Sequence, residues 1–88
     1  MRIEDAQKLL RRPYVTERTF DQIEKENKLC FIVDDGASKR QIASAFEAVY
    51  EAKVAAVNTE RTVKGKKAFV RLLEENKAAE LASKLGLV

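Results

Sequence analysis

The six residues Lys28-Leu29-Cys30-Phe31-Ile32-Val33 constrain the fold more than any other part of the sequence. A near-continuous apolar and β-branched run of this length reads as a strand buried on both faces, which needs neighbouring strands and a covering layer. The flanking segments supply both. Upstream, Leu9, Leu10, Arg11 and Arg12 lead through Pro13 into Tyr14 and Val15, where a lone proline among aromatic and β-branched neighbours suits an edge strand. Thr16 then caps a helix with Glu17 in its first turn, Phe20 and Ile23 on one face, and an end near Asn27. Downstream, Asp34, Asp35 and Gly36 turn the chain. Ser38 and Gln41 form a capping box, and Ile42, Ala45, Phe46 and Val49 recur at helical spacing, predicting a helix over 38–52 with Phe46 and Val49 toward the sheet. Val54 and Val57 open another strand, and Lys64 and Gly65 supply a tight turn. In the returning strand Ala68, Val70 and Leu72 alternate with Lys67, Phe69 and Arg71. Ala78, Leu81, Ala82 and Leu85 keep a helical period, with Gly86 where a C-terminal cap belongs. The expected fold is α/β (α+β): an antiparallel four-stranded sheet with helices packed on it, in the order β-α-β-α-β-β-α.

Eighty-eight residues, 45% of them apolar, suffice for one domain over 1–88, and three glycines and one proline leave no linker on which to divide it. Apolar runs of four or five residues fall far short of the roughly 20 that span a bilayer, so no membrane insertion is expected. The N-terminus opens with Arg2, Glu4, Asp5 and Gln7 rather than an apolar signal core, which predicts a cytoplasmic location. The single Cys30 lies inside the apolar run, so the expectation is a buried, inert thiol. Histidine is absent, removing the commonest general base and metal ligand. No catalytic residue, metal, cofactor or small-molecule substrate is expected.

The net charge of +3 matters less than its distribution. Residues 1–60 carry ten Lys/Arg against eleven Asp/Glu, and residues 74–88 carry two against three. Residues 61–73 hold Arg61, Lys64, Lys66, Lys67 and Arg71 with no acid, so the surplus sits on one hairpin. Such a cluster repels itself unless a polyanion neutralises it, which points to nucleic acid. The competing reading is an edge strand decorated with lysines against aggregation. Two further pairs, Arg11 with Arg12 and Lys39 with Arg40, fit either RNA contact or plain solvated surface. The basic and aromatic alternation of sheet-type RNA binders is missing from strand 28–33, so recognition is expected to rest on phosphates, 2′-hydroxyls and helix shape rather than base stacking.

Four segments carry a family resemblance: Arg12-Pro13-Tyr14-Val15-Thr16-Glu17-Arg18, Ala37-Ser38-Lys39-Arg40-Gln41-Ile42, Val57-Asn58-Thr59 and Lys64-Gly65-Lys66-Lys67-Ala68. In this order and spacing they resemble the universal large-subunit ribosomal protein number twenty-three, over about Leu9 to Gly86. The resemblance implies an α/β domain on large-subunit ribosomal RNA beside the exit of the nascent-peptide tunnel, among neighbouring ribosomal proteins. It implies RNA-facing segments at Arg11 to Thr16, at Lys39 with Arg40, and from Asn58 to Lys67. The candidate RNA-binding residues are therefore Arg11, Arg12, Thr16, Lys39, Arg40, Asn58, Thr59, Arg61, Lys64, Lys66 and Lys67. For Asn58 and Thr59 a strand-end turn without a partner is the alternative. The resemblance also implies a docking surface for nascent-chain factors such as the signal recognition particle, with Glu17 as its exposed acid. A carboxylate complementing the helix dipole explains Glu17 equally well. Thr62 to Lys67 closes the hairpin without the long basic extension of bacterial members, which makes the chain similar to the archaeal or eukaryotic form. The long basic N-terminal tail of eukaryotic members is absent from this sequence.

Two other classes of function make different demands on a chain of this size. A small acyl- or phosphoryl-transfer enzyme would need a Gly-rich phosphate loop or a nucleophile beside a base, and the sequence has neither. A stand-alone protein-binding or regulatory module would use the sheet edge and hold a partner without RNA.

Overall fold

The computed structural model describes residues 2–86. Eight elements follow in order: α1 (Ile3–Leu9), β1 (Leu10–Pro13), α2 (Glu17–Glu26), β2 (Lys28–Val33), α3 (Lys39–Tyr50), β3 (Val54–Thr62), β4 (Gly65–Leu72) and α4 (Ala78–Lys84). From β1 onward this is the order read from periodicity. The sheet is antiparallel throughout with strand order β1-β2-β4-β3, which places the apolar β2 between two partners and leaves the short β1 and the nine-residue β3 as edges.

Pairing register fixes which side chains share a face, because directly opposed residues of an antiparallel pair point the same way. Leu29, Phe31 and Val33 of β2 share a face with Ala68, Val70 and Leu72 of β4. These gather with Ala6, Ile23, Ile42, Ala45, Phe46, Ala78 and Ala82 from all four helices into one buried cluster. Phe31 meets Phe46 edge-on with ring centres 5.7 Å apart, and Tyr50 stacks obliquely on Phe46 at 4.8 Å. The reverse face carries Arg12, Lys28, Cys30, Ile32, Ala56, Asn58, Glu60, Lys67, Phe69 and Arg71. Cys30 and Ile32 remain only 5% and 4% exposed there, flanked by half-buried Tyr14, Lys67 and Phe69. Long side chains lying along a sheet cover apolar neighbours with their stems, so β2 is buried on both faces as expected.

Local chemistry sets the element ends. In α2, Thr16 Oγ1 accepts from Thr19 N–H at 3.2 Å while Thr16 N–H donates to Thr19 Oγ1 at 2.7 Å, a capping box built from two threonines. Ser38 and Gln41 form the expected box on α3, which runs to Tyr50 rather than 52 because Glu51 turns left-handed at φ 55°. Asn27 ends α2 at φ 56° and ties three segments together. Its Nδ2 lies 2.8 Å from the Asn76 carbonyl and 3.2 Å from that of Leu72, and its Oδ1 accepts from Ala78 N–H at 2.7 Å.

Two further features depart from expectation. The hairpin reverses over Val63 and Lys64, with Thr62 paired to Gly65, so Gly65 opens β4 instead of sitting in the turn. Gly65 completes the reversal at φ 119°, a conformation that strains any L side chain, and a Cβ there would also press to 3.3 Å from Ile32 Cγ2. The second is α1, a seven-residue helix unforeseen in the sequence, whose only buried residue is Ala6 and whose main neighbour is α3. No described helix is long and apolar enough to cross a membrane.

Candidate nucleic-acid interface

Register brings the scattered basic segments to one end of the molecule. Leu10 of β1 and Lys66 of β4 both pair with Val33 at the end of β2, and Arg61 of β3 pairs with Lys66. The loop from Asp34 leads from that point directly into α3. Arg11, Arg12, Lys39, Arg40, Arg61, Lys64, Lys66 and Lys67, distant in sequence, therefore surround a single sheet end.

The eight cations divide by what they touch. Three brace the loop between β2 and α3: Arg11 pairs with Asp34 at 3.0 Å, Arg61 Nη2 donates to the Asp35 carbonyl at 3.3 Å, and Lys66 Nζ donates to the Ala37 carbonyl at 2.6 Å. Asp34 also accepts from Gly36 N–H at 3.3 Å. Two gather on Tyr14: Lys67 Nζ lies 4.0 Å from the ring centre, and Lys64 Nζ lies 3.5 Å from the phenol oxygen. The Lys64 contact, with Lys67 beside it, holds the Tyr14 phenol below its ordinary range. The remaining three, Arg12, Lys39 and Arg40, are exposed and make no side-chain hydrogen bond or ion pair among the described residues. Lys39 and Arg40 stand in the first turn of α3, which contains no acid. The helix dipole disfavours cations there, and the same turn favours an external anion.

The other candidates separate. Thr16 spends its hydroxyl on the α2 cap. Asn58 and Thr59 lie within β3 rather than in a strand-end turn, and they face opposite ways: Asn58 opposes Phe69 on the reverse face and Thr59 opposes Ala68 on the helix side. Glu17 is exposed at the start of α2, and its side chain makes no hydrogen bond or ion pair among the described residues. Two features of this end had no signal in the sequence. Tyr14 lies 50 residues from Lys64, and only the register shows that they meet. Val63 protrudes fully exposed at the hairpin tip. Cys30 lies near the reverse-face lysines, yet burial pushes its thiol up to about 11, which keeps it protonated and unreactive.

The family model for ribosomal protein L23 matches residues 8–80. The chain belongs to the ribosomal protein L23 family. Curated relatives named "Large ribosomal subunit protein uL23" agree over nearly their whole length. That of Methanobrevibacter smithii is 46% identical over 84 residues, covering 94% of this chain and 98% of the relative. The Pyrobaculum aerophilum protein is 48% identical over 81 residues, covering 91% and 100%. The Haloarcula marismortui protein is 45% identical over 80 residues, covering 90% and 94%. These are archaeal, in keeping with the directly closed hairpin. Membership of a structural, non-enzymatic L23 family decides against the transferase reading.

Proposed function

We propose that the chain is a structural constituent of the large ribosomal subunit and binds large-subunit ribosomal RNA through the cation-rich end of its sheet. The observation that carries this reading is the convergence of eight cations from β1, α3, β3, β4 and the β3–β4 turn on one end, with Lys39 and Arg40 held against the α3 dipole. Family membership supports ribosomal RNA as the polyanion. Arg12, Lys39, Arg40, Lys64 and Lys67 serve as the principal phosphate contacts, while Arg11, Arg61 and Lys66 shape the loop between β2 and α3 and add their charge to the field. Asn58 and the reverse face of the sheet flank the same surface. The site on the subunit is the region beside the nascent-peptide tunnel exit, with neighbouring ribosomal proteins around it. There Glu17 forms part of a surface met by nascent-chain factors such as the signal recognition particle.

A salt series with purified chain and fragments of large-subunit ribosomal RNA tests the RNA reading. With about five phosphate contacts, log affinity should fall against log salt with a slope of roughly −3.5 to −4.5. Changing Lys39, Arg40, Lys64 and Lys67 to Ala should reduce that slope by about 3. Salt-independent binding, or a variant that binds with the wild-type slope, would remove this end of the sheet as the RNA contact. For factor docking, ribosomes carrying Glu17→Lys should bind signal recognition particle more weakly at unchanged subunit assembly; equal binding would dismiss the role of Glu17.

A further inference from the structure

Lys67 stands directly opposite Glu60, the arrangement in which a cross-strand ion pair is expected, yet no Lys67–Glu60 pair forms among the described residues. The Lys67 side chain turns the other way, past Ile32 of β2, and sets its ammonium 4.0 Å from the centre of the Tyr14 ring. Lys64 reaches the same ring from the turn, 5.5 Å from its centre and 3.5 Å from its hydroxyl. Two like charges from one hairpin thus share one aromatic residue of the opposite edge. Tyr14 is itself anchored: its N–H donates to the Cys30 carbonyl at 2.9 Å, and its carbonyl lies 3.2 Å from the hydroxyl of buried Thr19. The backbone that carries the ring is therefore held on both sides, while the two lysines reach it on long four-carbon stems.

An ammonium has three donors, so one turned toward a ring face or a phenol oxygen keeps others for an anion. Long lysine stems otherwise lose rotamer freedom on reaching a phosphate, and a support that fixes them beforehand removes part of that cost. We infer that Tyr14 is a positioning residue that holds Lys64 and Lys67 side by side as a preformed dication for neighbouring phosphates of the RNA backbone. The inference rests on the RNA-binding reading above and deepens it.

The test uses the full chain and the RNA fragment selected in the salt series, with Tyr14→Phe, Tyr14→Leu, Lys64→Ala/Lys67→Ala and the triple variant. Tyr14→Leu should lose about three- to tenfold in affinity at an unchanged salt slope, since every charge remains. Tyr14→Phe keeps the ring beneath Lys67 and should lose less. The lysine double variant should lose more affinity and about 1.4 to 1.8 of slope, and adding Tyr14→Leu to it should cost nothing further. Wild-type affinity in Tyr14→Leu overturns the inference. So does an equal Tyr14→Leu loss with and without the lysines, which would mean that Tyr14 touches RNA itself. Absence of salt-dependent binding by the unmutated chain overturns the RNA reading instead, and the two failures are read on different proteins. Circular dichroism establishes that each variant is folded. If Tyr14→Leu is not, the comparison of Tyr14→Phe with wild type carries the test together with the phenol titration of the free protein. That titration should shift upward when both lysines are removed, and an unmoved titration also overturns the inference.

Discussion

At the residue scale, one polar side chain serves two purposes at once. Asn27 occupies a left-handed conformation that asparagine tolerates better than most residues, and its amide bridges the end of α2 to the segment entering α4. Asn27→Ala keeps neither property. We expect a loss of about 2–4 kcal/mol in denaturant unfolding, from backbone strain and from carbonyl and N–H groups left without their partner. Asn27→Gly, which restores the backbone freedom alone, should recover only part of it. Cys30 gives a pH prediction. Its thiol titrates near 11 in the folded chain, whereas an exposed cysteine titrates near 8.5, so between these values the unfolded state sheds a proton that the native state keeps. Stability contributed by the buried thiol is therefore complete below about pH 8 and declines as pH rises toward 11. Chemical denaturation of wild type and Cys30→Ala across pH 7–10.5 should show the wild type losing more stability with alkali. Parallel pH curves would show that the thiol is not held protonated by the fold.

At the element scale, what the sequence revealed depended on how much of each element's stability is local. The apolar run of β2 and the Ser38–Gln41 box carry their own signals, and both elements formed where those signals lay. Helix α1 carries none: it has seven residues, Arg2 at its N-cap makes no side-chain bond, and Ile3 is exposed. Packing on α3 holds it in place, and that information sits forty residues away. A Lys-Gly pair suggests a turn at Lys64 and Gly65, whereas Val63 and Lys64 make the reversal and Gly65 completes it, one residue further on. The candidate cations were legible as charge, but their division into loop braces, Tyr14-bound lysines and unengaged groups was not, since it follows from register. Helix α3 yields a prediction at this scale. Glutamate in place of Lys39 and Arg40 would complement the dipole of the first turn, so the double variant should be about 0.5–2 kcal/mol more stable in urea while binding RNA more weakly. A variant that loses stability would mean that these cations help to hold the fold.

At the scale of the whole molecule, the antiparallel sheet has two chemically distinct ends. Around Leu10, Val33 and Lys66 the surface cations number eight, and Asp34 and Arg11 already neutralise one another. Around Lys28, Leu72 and Val54 the cations Lys28 and Lys53 pair with Glu26 and Glu75, Glu74 lies close by, and Arg71 is the one cation of the 61–73 segment that register carries to this end. A phosphate backbone approaching this molecule is drawn to the first end and gains little at the second. Lysine acetylation resolves the two directly, because each amine reports its own surroundings. In the free chain, exposed Lys39 should react as readily as exposed Lys25 and Lys77, whereas Lys66, with its amine on the Ala37 carbonyl, should react more slowly. With ribosomal RNA bound, Lys39, Lys64 and Lys67 should be protected several-fold while Lys25, Lys53 and Lys77 keep their free rates. Equal protection at both ends would mean that RNA wraps the domain and that the charge map does not orient it. Protection confined to Lys25, Lys53 and Lys77 would place the RNA on the opposite end and leave the surplus charge of the hairpin for another partner.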